Sequence, residues 1–468
     1  MTGSFSGAVS RRALLAALGM LSLSACAPGV ATSATPKPAE SAPSTPTAPS
    51  TAAPVAPTAA AATTTRTTKV VWSNWAVDAG SKDRLAEQKD GFEAARRSVA
   101  LDIQNTPSAE YMTKLLATYA ADQAPDVSRL NTEQLPIFAA RGQTSDLDVL
   151  STPAADSWLK RADIKPGLVD RYRLAGKLAG LPYGGDMDAL YVNRTLLGAT
   201  NQSVPPSDYE DATWTYDRAL ALAQALTKRR ADGGADQLGI DIGGYRYEGH
   251  VENAGGSWFS IDGRSFRGHE PGAAAGIDWL AALVRKHKVA AAPATDESRA
   301  FAFASGKLAM SWSSVSQVSN RLRDVADRFD WDVYPVPRWG TNPRVVKSGF
   351  SALILSARSK QRDAAWDFLH WVTGPVGSLP DVETGWSVPV FSGLDSRYFV
   401  RVGPKKNLSV ALNGPKYPSK FPMWTNPNYA EAWRRVQTAI EQVFQGAGTA
   451  ADVLGGIRAE VDAMLAKS

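Results

Sequence analysis

Hydrophobic and polar positions change character twice near the N-terminus before they settle into regular blocks. Ala13 to Leu23 is an apolar run behind Ser10-Arg11-Arg12, too short for a permanent bilayer span and in the charged-then-apolar order of an export signal over residues 1–25. From Ala27 to Thr68 no apolar periodicity survives; Ala, Pro, Thr and Ser fill the stretch, with Lys37, Glu40 and Arg66 as its only charges. Such a segment cannot bury a core, so residues 26–68 are expected to form a disordered tether. As a flexible coil it would reach roughly 35 Å.

Regular patterning begins at Lys69. Residues 69–75 alternate as a strand, 82–97 place Leu85, Phe92 and Ala95 on one helical side, 101–103 give a second strand, 108–121 a second helix, and Asp126-Val127 turns into a third strand. That order is the βαβ signature of an α/β fold with a parallel sheet. Further on, helices are expected over 216–229, 272–286 (Ile277, Leu280 and Leu283 inward), 362–372 and 429–445, the last stopping at Gly446. Thr449-Ala-Ala-Asp452 carries a capping-box pattern for a final helix. Strands are expected at 189–192, 237–241, after Gly306, at 331–337 and at 348–356.

The stretch from Leu174 to Leu197 is too interrupted by Gly176, Gly180, Pro182, Gly184 and Gly185 to be a helix. Pro182 fixes its own φ and biases Leu181 toward extended geometry, whereas Gly184-Gly185 can absorb large backbone changes. This is hinge chemistry.

Composition narrows the function classes. The 468 residues carry a net charge of +5; Arg11 and Arg12 are the only charges before Cys26, so the remainder carries +3, too mild to argue for nucleic acid. Lys228-Arg229-Arg230, the one basic run, is expected to close a helix. The single cysteine, Cys26, follows Leu23-Ser24-Ala25 as in a lipobox, which makes it the candidate lipid-attachment residue and leaves the exported part without a disulfide. Acylation there would hold the protein at the outer face of the cytoplasmic membrane. The paired arginines resemble a twin-arginine signal, with ordinary secretion as the alternative. His250, His269, His287 and His370 are scattered singly, so no metal site is expected, and no nucleophile elbow or phosphate-binding glycine loop calls for a cofactor. Asp186 and Asp188 are the one pair that could serve a glycosidase, since i and i+2 share a face of an extended segment.

Several passages, in order, resemble the extracellular solute-binding proteins of family 1, the maltose-binding-protein-like sugar-binding lipoproteins of ABC importers. They are Gly176-Lys-Leu-Ala-Gly-Leu-Pro-Tyr183 with Asp186 and Leu190-Tyr-Val-Asn193, Ala124-Pro-Asp-Val127, Pro205-Pro206 before Thr213-Trp214, Asn253-Ala-Gly-Gly256, Phe303-Ala-Ser-Gly-Lys-Leu-Ala-Met310, and Ala364-Ala-Trp366 with Phe368-Leu369. The resemblance implies a two-lobed periplasmic-binding-protein-like fold of type II with discontinuous lobes joined by a multi-strand hinge. The N-terminal lobe would comprise 69–182 and 350–380, the C-terminal lobe 187–347 and 387–468, with crossings near 182–186, 348–351 and 381–387. It also implies no catalysis, a carbohydrate ligand, ABC permease transmembrane subunits as partners, and a monomer.

A sugar site needs flat aromatic walls and groups that accept from hydroxyls. Asn74 and Trp75 stand at the end of the first strand, where open parallel sheets meet ligands, and Asn131 and Glu133 follow the third, as ligand contacts or as helix caps. Tyr183, Trp258, Trp312, Trp386 and Trp424 lie near glycines, prolines or strand ends, as cleft walls would. Asp186 occupies the position where the family carries an acidic sugar contact. A polyamine, an amino acid or another polar metabolite is the alternative solute, and a polyamine would ask for more carboxylates than the sequence offers there.

Overall fold

Three short strands separated by single helices can pair in parallel only if each helix crosses over the sheet. The computed structural model describes residues 68–75, 79–150, 163–165, 168–243, 246–401, 406–418 and 426–467. In it β1 (Thr68–Asn74) lies parallel to both β2 (Val99–Asn105) and β3 (Val127–Leu130), and helices Ala79–Ala95 and Ser108–Ala120 connect them. The export segment, the tether, Cys26 and Trp424 lie outside the described residues.

A small hairpin, β4 (Arg173–Leu174) with β5 (Lys177–Leu178), turns through Ala175 and Gly176, both at positive φ, and delivers the chain to β6 (Leu181–Asn193). After β6 come β7 (Lys228–Arg229), β8 (Ala235–Ile240), β9 (Leu308–Ser314), β10 (Trp331–Tyr334) and β11 (Ser348–Leu355). The sheet runs β2-β1-β3-β11-β6-β9-β8-β7, with β10 also paired to β6. The helices over 216–229 and 82–97 are shorter or shifted, observed as Tyr216–Leu226 and Ala79–Ala95. The first of these stops because Lys228 and Arg229 leave it to pair with Gln237 and Ala235, so the basic run forms a hairpin edge and does not close a helix. Thr215 and Thr449 cap helices Tyr216–Leu226 and Ala450–Gly456 with their side-chain oxygens.

Two separate hydrophobic cores share this one sheet. The smaller gathers Val70, Trp72, Phe92, Leu115, Phe138, Leu181, Leu353 and Phe368; the larger gathers Leu190, Val192, Trp258, Ile277, Met310, Val436 and Ile440. β6 belongs to both. Its first residues pair with β11 in the smaller core, and Asp188–Val192 pair with β9 in the larger. The expected strand at 189–192 is therefore the second half of a 13-residue strand that starts at Leu181. Continuity through the glycines is possible because the register slips by one at Gly184: Phe350 opposes Gly185 and Ser351 opposes Tyr183, leaving Gly184 as a bulge residue at φ 68°. A third tie comes from the segment after Gly385, where Gly185 and Val388 form a bridge and the Ser387 hydroxyl accepts from the Gly185 N–H at 2.7 Å.

Candidate functional site

A groove of about 360 Å³ opens between the two cores beside the Gly184 bulge. Its lining includes Trp75, Arg129, Asn131, Glu133, Asp186, Arg246, Lys347, Ser351 and Trp386. A larger cavity of about 510 Å³, lined by Pro136, Ala139, Leu174 and neighbours, belongs to the smaller core alone and touches none of the residues that join the cores.

On the smaller-core wall, the end of β1 sets the geometry. Asn74 is buried, and its Oδ1 accepts from the Trp75 N–H at 2.8 Å and from Arg129 Nη1 at 3.3 Å. Asn74 thus orients two groove residues and is not itself a wall. Trp75 rests edge-on against Tyr111, whose hydroxyl donates to the Ser73 and Arg129 carbonyls and locks β1 to β3. The Arg129 guanidinium lies 3.8 Å from the centre of the Trp75 ring and 4.7 Å from that of Trp386. Trp386 is held from behind by Arg84, 3.7 Å over the ring, and Arg84 is paired with Asp381. Tyr183, expected as a wall, is buried beneath: it donates to Gln88 Oε1 at 3.1 Å, accepts from Arg84 Nη1, and props Trp386 at 5.5 Å. Gly184 has to lack a side chain, because a Cβ there would sit 2.4 Å from the Trp386 ring.

The larger-core wall is a network of paired charges. Asp186 accepts from its neighbour's Met187 N–H at 2.8 Å and from the Ser314 hydroxyl, and its other oxygen stays 3.7 Å from Arg246. Asp188, at 1% exposure, accepts from Arg246 Nε at 2.7 Å and from the Trp312 indole N–H at 3.4 Å. Burial pushes its carboxyl up against the pull of that guanidinium. Lys347 pairs with Glu248 at 3.0 Å. In the loop after β3, Asn131 donates its N–H to Gln134 Oε1, and Glu133 faces the groove with its carboxyl pushed up by burial, partly offset by Lys347.

Trp258 and Trp312, expected in the cleft, are both in the larger core. Trp258 is fully buried edge-on to Trp433. The glycines near it serve close backbone approach, since a Cβ on Gly256 would meet the Ala273 nitrogen at 2.2 Å. Trp312 lies 4.1 Å, centre to centre, from the His250 ring, behind Asp188. Desolvation there lowers His250 to about 3, and its Nδ1 is 3.0 Å from the Tyr216 hydroxyl. Sequence reasoning missed Arg129, Arg246, Lys347 and Ser351. One signal was available for Arg129: a charged residue inside a four-residue strand that is otherwise apolar or small, Val127-Ser-Arg-Leu130.

Among the described residues no group of three or more His, Cys, Asp or Glu could hold a metal ion, and no helix is long and apolar enough to cross a membrane.

The model of the bacterial extracellular solute-binding protein family matches residues 87–395. A binding protein of Brucella abortus is 21% identical over 390 residues, covering 81% of this chain and 89% of its own. Among solved structures, an ABC substrate-binding protein of Listeria monocytogenes in complex with cycloalternan superposes with a TM-score of 0.74 at 19% identity, over 86% of this chain and all of that one. The GacH receptor of Streptomyces glaucescens, solved unliganded and with acarbose, gives 0.72 at 19% identity over 85% and 98%. Maltose-bound MalE3 of T. maritima gives 0.67 at 18% identity over 85% and 100%.

Proposed function

The chain belongs to the bacterial extracellular solute-binding proteins, and we propose that it captures a carbohydrate between its two cores and delivers it to the transmembrane subunits of an ABC importer. The observation that carries this reading is the pairing of Trp75 and Trp386 on one wall with Asp186 on the other, in a groove that both cores build. Indole faces suit the C–H side of a sugar ring, and Asn131, Glu133, Asp186 and Ser351 offer oxygens to its hydroxyls. Cycloalternan, acarbose and maltose in the similar structures are guests of this chemical kind. A solute touching both walls would stabilise the closed arrangement, because β6, β11 and the Gly185–Val388 tie join the cores at that point. The lobes in this reading are 69–182 with 350–380 and 187–347 with 387–468.

Nothing is covalently changed in this mechanism. Asp186 and Asp188 are poor partners for glycoside cleavage, since Asp188 is buried and tied to Arg246. A polyamine is opposed by Arg129, Arg246 and Lys347, all in the lining. Export through the arginine-led signal, acylation at Cys26, a free tether over 26–68, Trp424 as a further wall and a monomeric state complete the proposal. It is tested by solution scattering and thermal shift of the chain against a carbohydrate panel. A smaller radius of gyration and a raised melting temperature with one sugar are expected; one unchanging shape with no shift for any of them would overturn it.

A further inference from the structure

Four cations stand in or directly behind the groove, and three are answered by carboxylates. Asp381 pairs with Arg84, Asp188 and the more distant Asp186 with Arg246, and Glu248 with Lys347. Arg129 is different: among the described residues its bonds go only to neutral oxygens, Ser351 Oγ at 3.1 and 3.2 Å and Asn74 Oδ1 at 3.3 Å. A guanidinium has five N–H groups, so two remain without an acceptor. The indoles of Trp75 and Trp386 stand within 3.8 and 4.7 Å of its centre, and the two unused N–H groups are what it has left to offer a partner in the groove. Beside it the Asn74 Nδ2 donor is also buried without an acceptor.

Burying a cation this way, at 7% exposure, is costly unless something compensates it. Desolvation pulls the Arg129 guanidinium down to about 10, which still leaves it charged at neutral pH, and outweighs the Asp381 carboxylate, which is already paired with Arg84 and acts on Arg129 only through space. A carboxyl in such a place could take up a proton, and Glu133 is pushed in that direction; a guanidinium has no equivalent escape.

We infer that the groove takes an acidic carbohydrate, one whose carboxylate or phosphate seats on the free edge of Arg129 between Trp75 and Trp386. This rests on the solute-capture reading of the same groove and narrows its guest. A carboxylate or a phosphate presents two anionic oxygens and can receive both unused N–H groups at once, a match that a hydroxyl makes only singly. The sugar ring would then extend from the indoles toward Asp186 and Asn131, where hydroxyl donors find acceptors.

The test is calorimetry on the full chain with glucuronate, galacturonate, their dimers and glucose 6-phosphate, each beside its neutral parent sugar. At low salt at least one acid should bind more than about tenfold tighter than its parent. That margin should shrink as salt rises, and should fall to within about twofold in Arg129→Gln. The uronates against the phosphate tell which anion is meant. Because Arg129 is buried, the unliganded Arg129→Met variant is melted as well; its melting temperature should be unchanged or higher, since an unmatched cation has been replaced by an apolar chain. Neutral sugars binding as tightly as the acids would overturn the inference and leave sugar capture standing. A fall of more than about 5 °C in unliganded Arg129→Met would also overturn it, by making the arginine a structural cation. No binding of any sugar, acid or neutral, would bring down both readings.

Discussion

The larger-core wall gives each cation it lends to the groove lining, Arg246 and Lys347, a carboxylate partner, and the smaller-core wall leaves its lining cation, Arg129, without one among the described residues. On the larger-core side Asp188, Arg246, Glu248 and Lys347 are matched within the protein, and Asp186 is already engaged by Ser314. On the smaller-core side Arg84 is matched by Asp381 behind the groove, whereas Arg129, among the described residues, hydrogen-bonds only a hydroxyl and an amide beside its rings. The difference teaches that burial and pairing have to be read together: a matched charge describes the fold, whereas an unmatched one in a groove describes what the fold is waiting for.

Removing a member of the finished wall should be the most damaging change. Arg246→Ala leaves Asp188 buried and unpaired, and urea unfolding should show a loss of about 3–5 kcal/mol; a loss below about 1 kcal/mol would erase the contrast between the walls. Trp258→Ala should cost about 3–5 kcal/mol for a different reason, the cavity left in the larger core, with solute affinity measured by calorimetry unchanged.

Acid probes the larger-core side without mutation. His250 has a folded value of about 3, below its unfolded value near 6.5, so the unfolded chain binds the extra proton first. The stability it confers is complete above about pH 6.5 and is lost as pH falls toward 3, by about 2–3 kcal/mol at pH 4.5. His250→Phe should flatten that part of the pH profile of the urea midpoint; an unaltered slope would assign the acid sensitivity to other groups.

Smaller effects sharpen the comparison at the groove itself. Asp186→Ala should weaken sugar binding by tenfold to a hundredfold with the fold intact, about 1.5–3 kcal/mol for a charge-assisted bond. Trp75→Ala should cost about 0.5–1.5 kcal/mol of affinity for lost ring contact, read by the same titration. Full affinity in either variant would move the guest to another part of the lining.

Much of this was written plainly in the chain. The βαβ opening, the helix ended by Gly446 and the interrupted crossing at 182–186 rest on local rules of periodicity, capping and glycine freedom, and local rules survive folding. Trp258 and Trp312 misled for a physical reason. A glycine near a tryptophan can mean an open loop or two backbones pressed together, and at Gly256 it means the second. Arg129 escaped notice because a lone charge in a short strand has no period; its meaning comes from Trp386, more than 250 positions away in sequence and 4.7 Å away in space. The pairing of β6 with β11, and so the length of β6, is likewise a long-range property.

With no side chain of its own, Gly184 lets the indole of Trp386 press directly on the peptide where the sheet slips its register. No spacer separates the ring from the kink, so a disturbance of one is felt by the other without relay. The fluorescence of that indole, taken as the difference between the native protein with its 14 tryptophans and a Trp386→Phe variant, is accordingly a built-in gauge of bending.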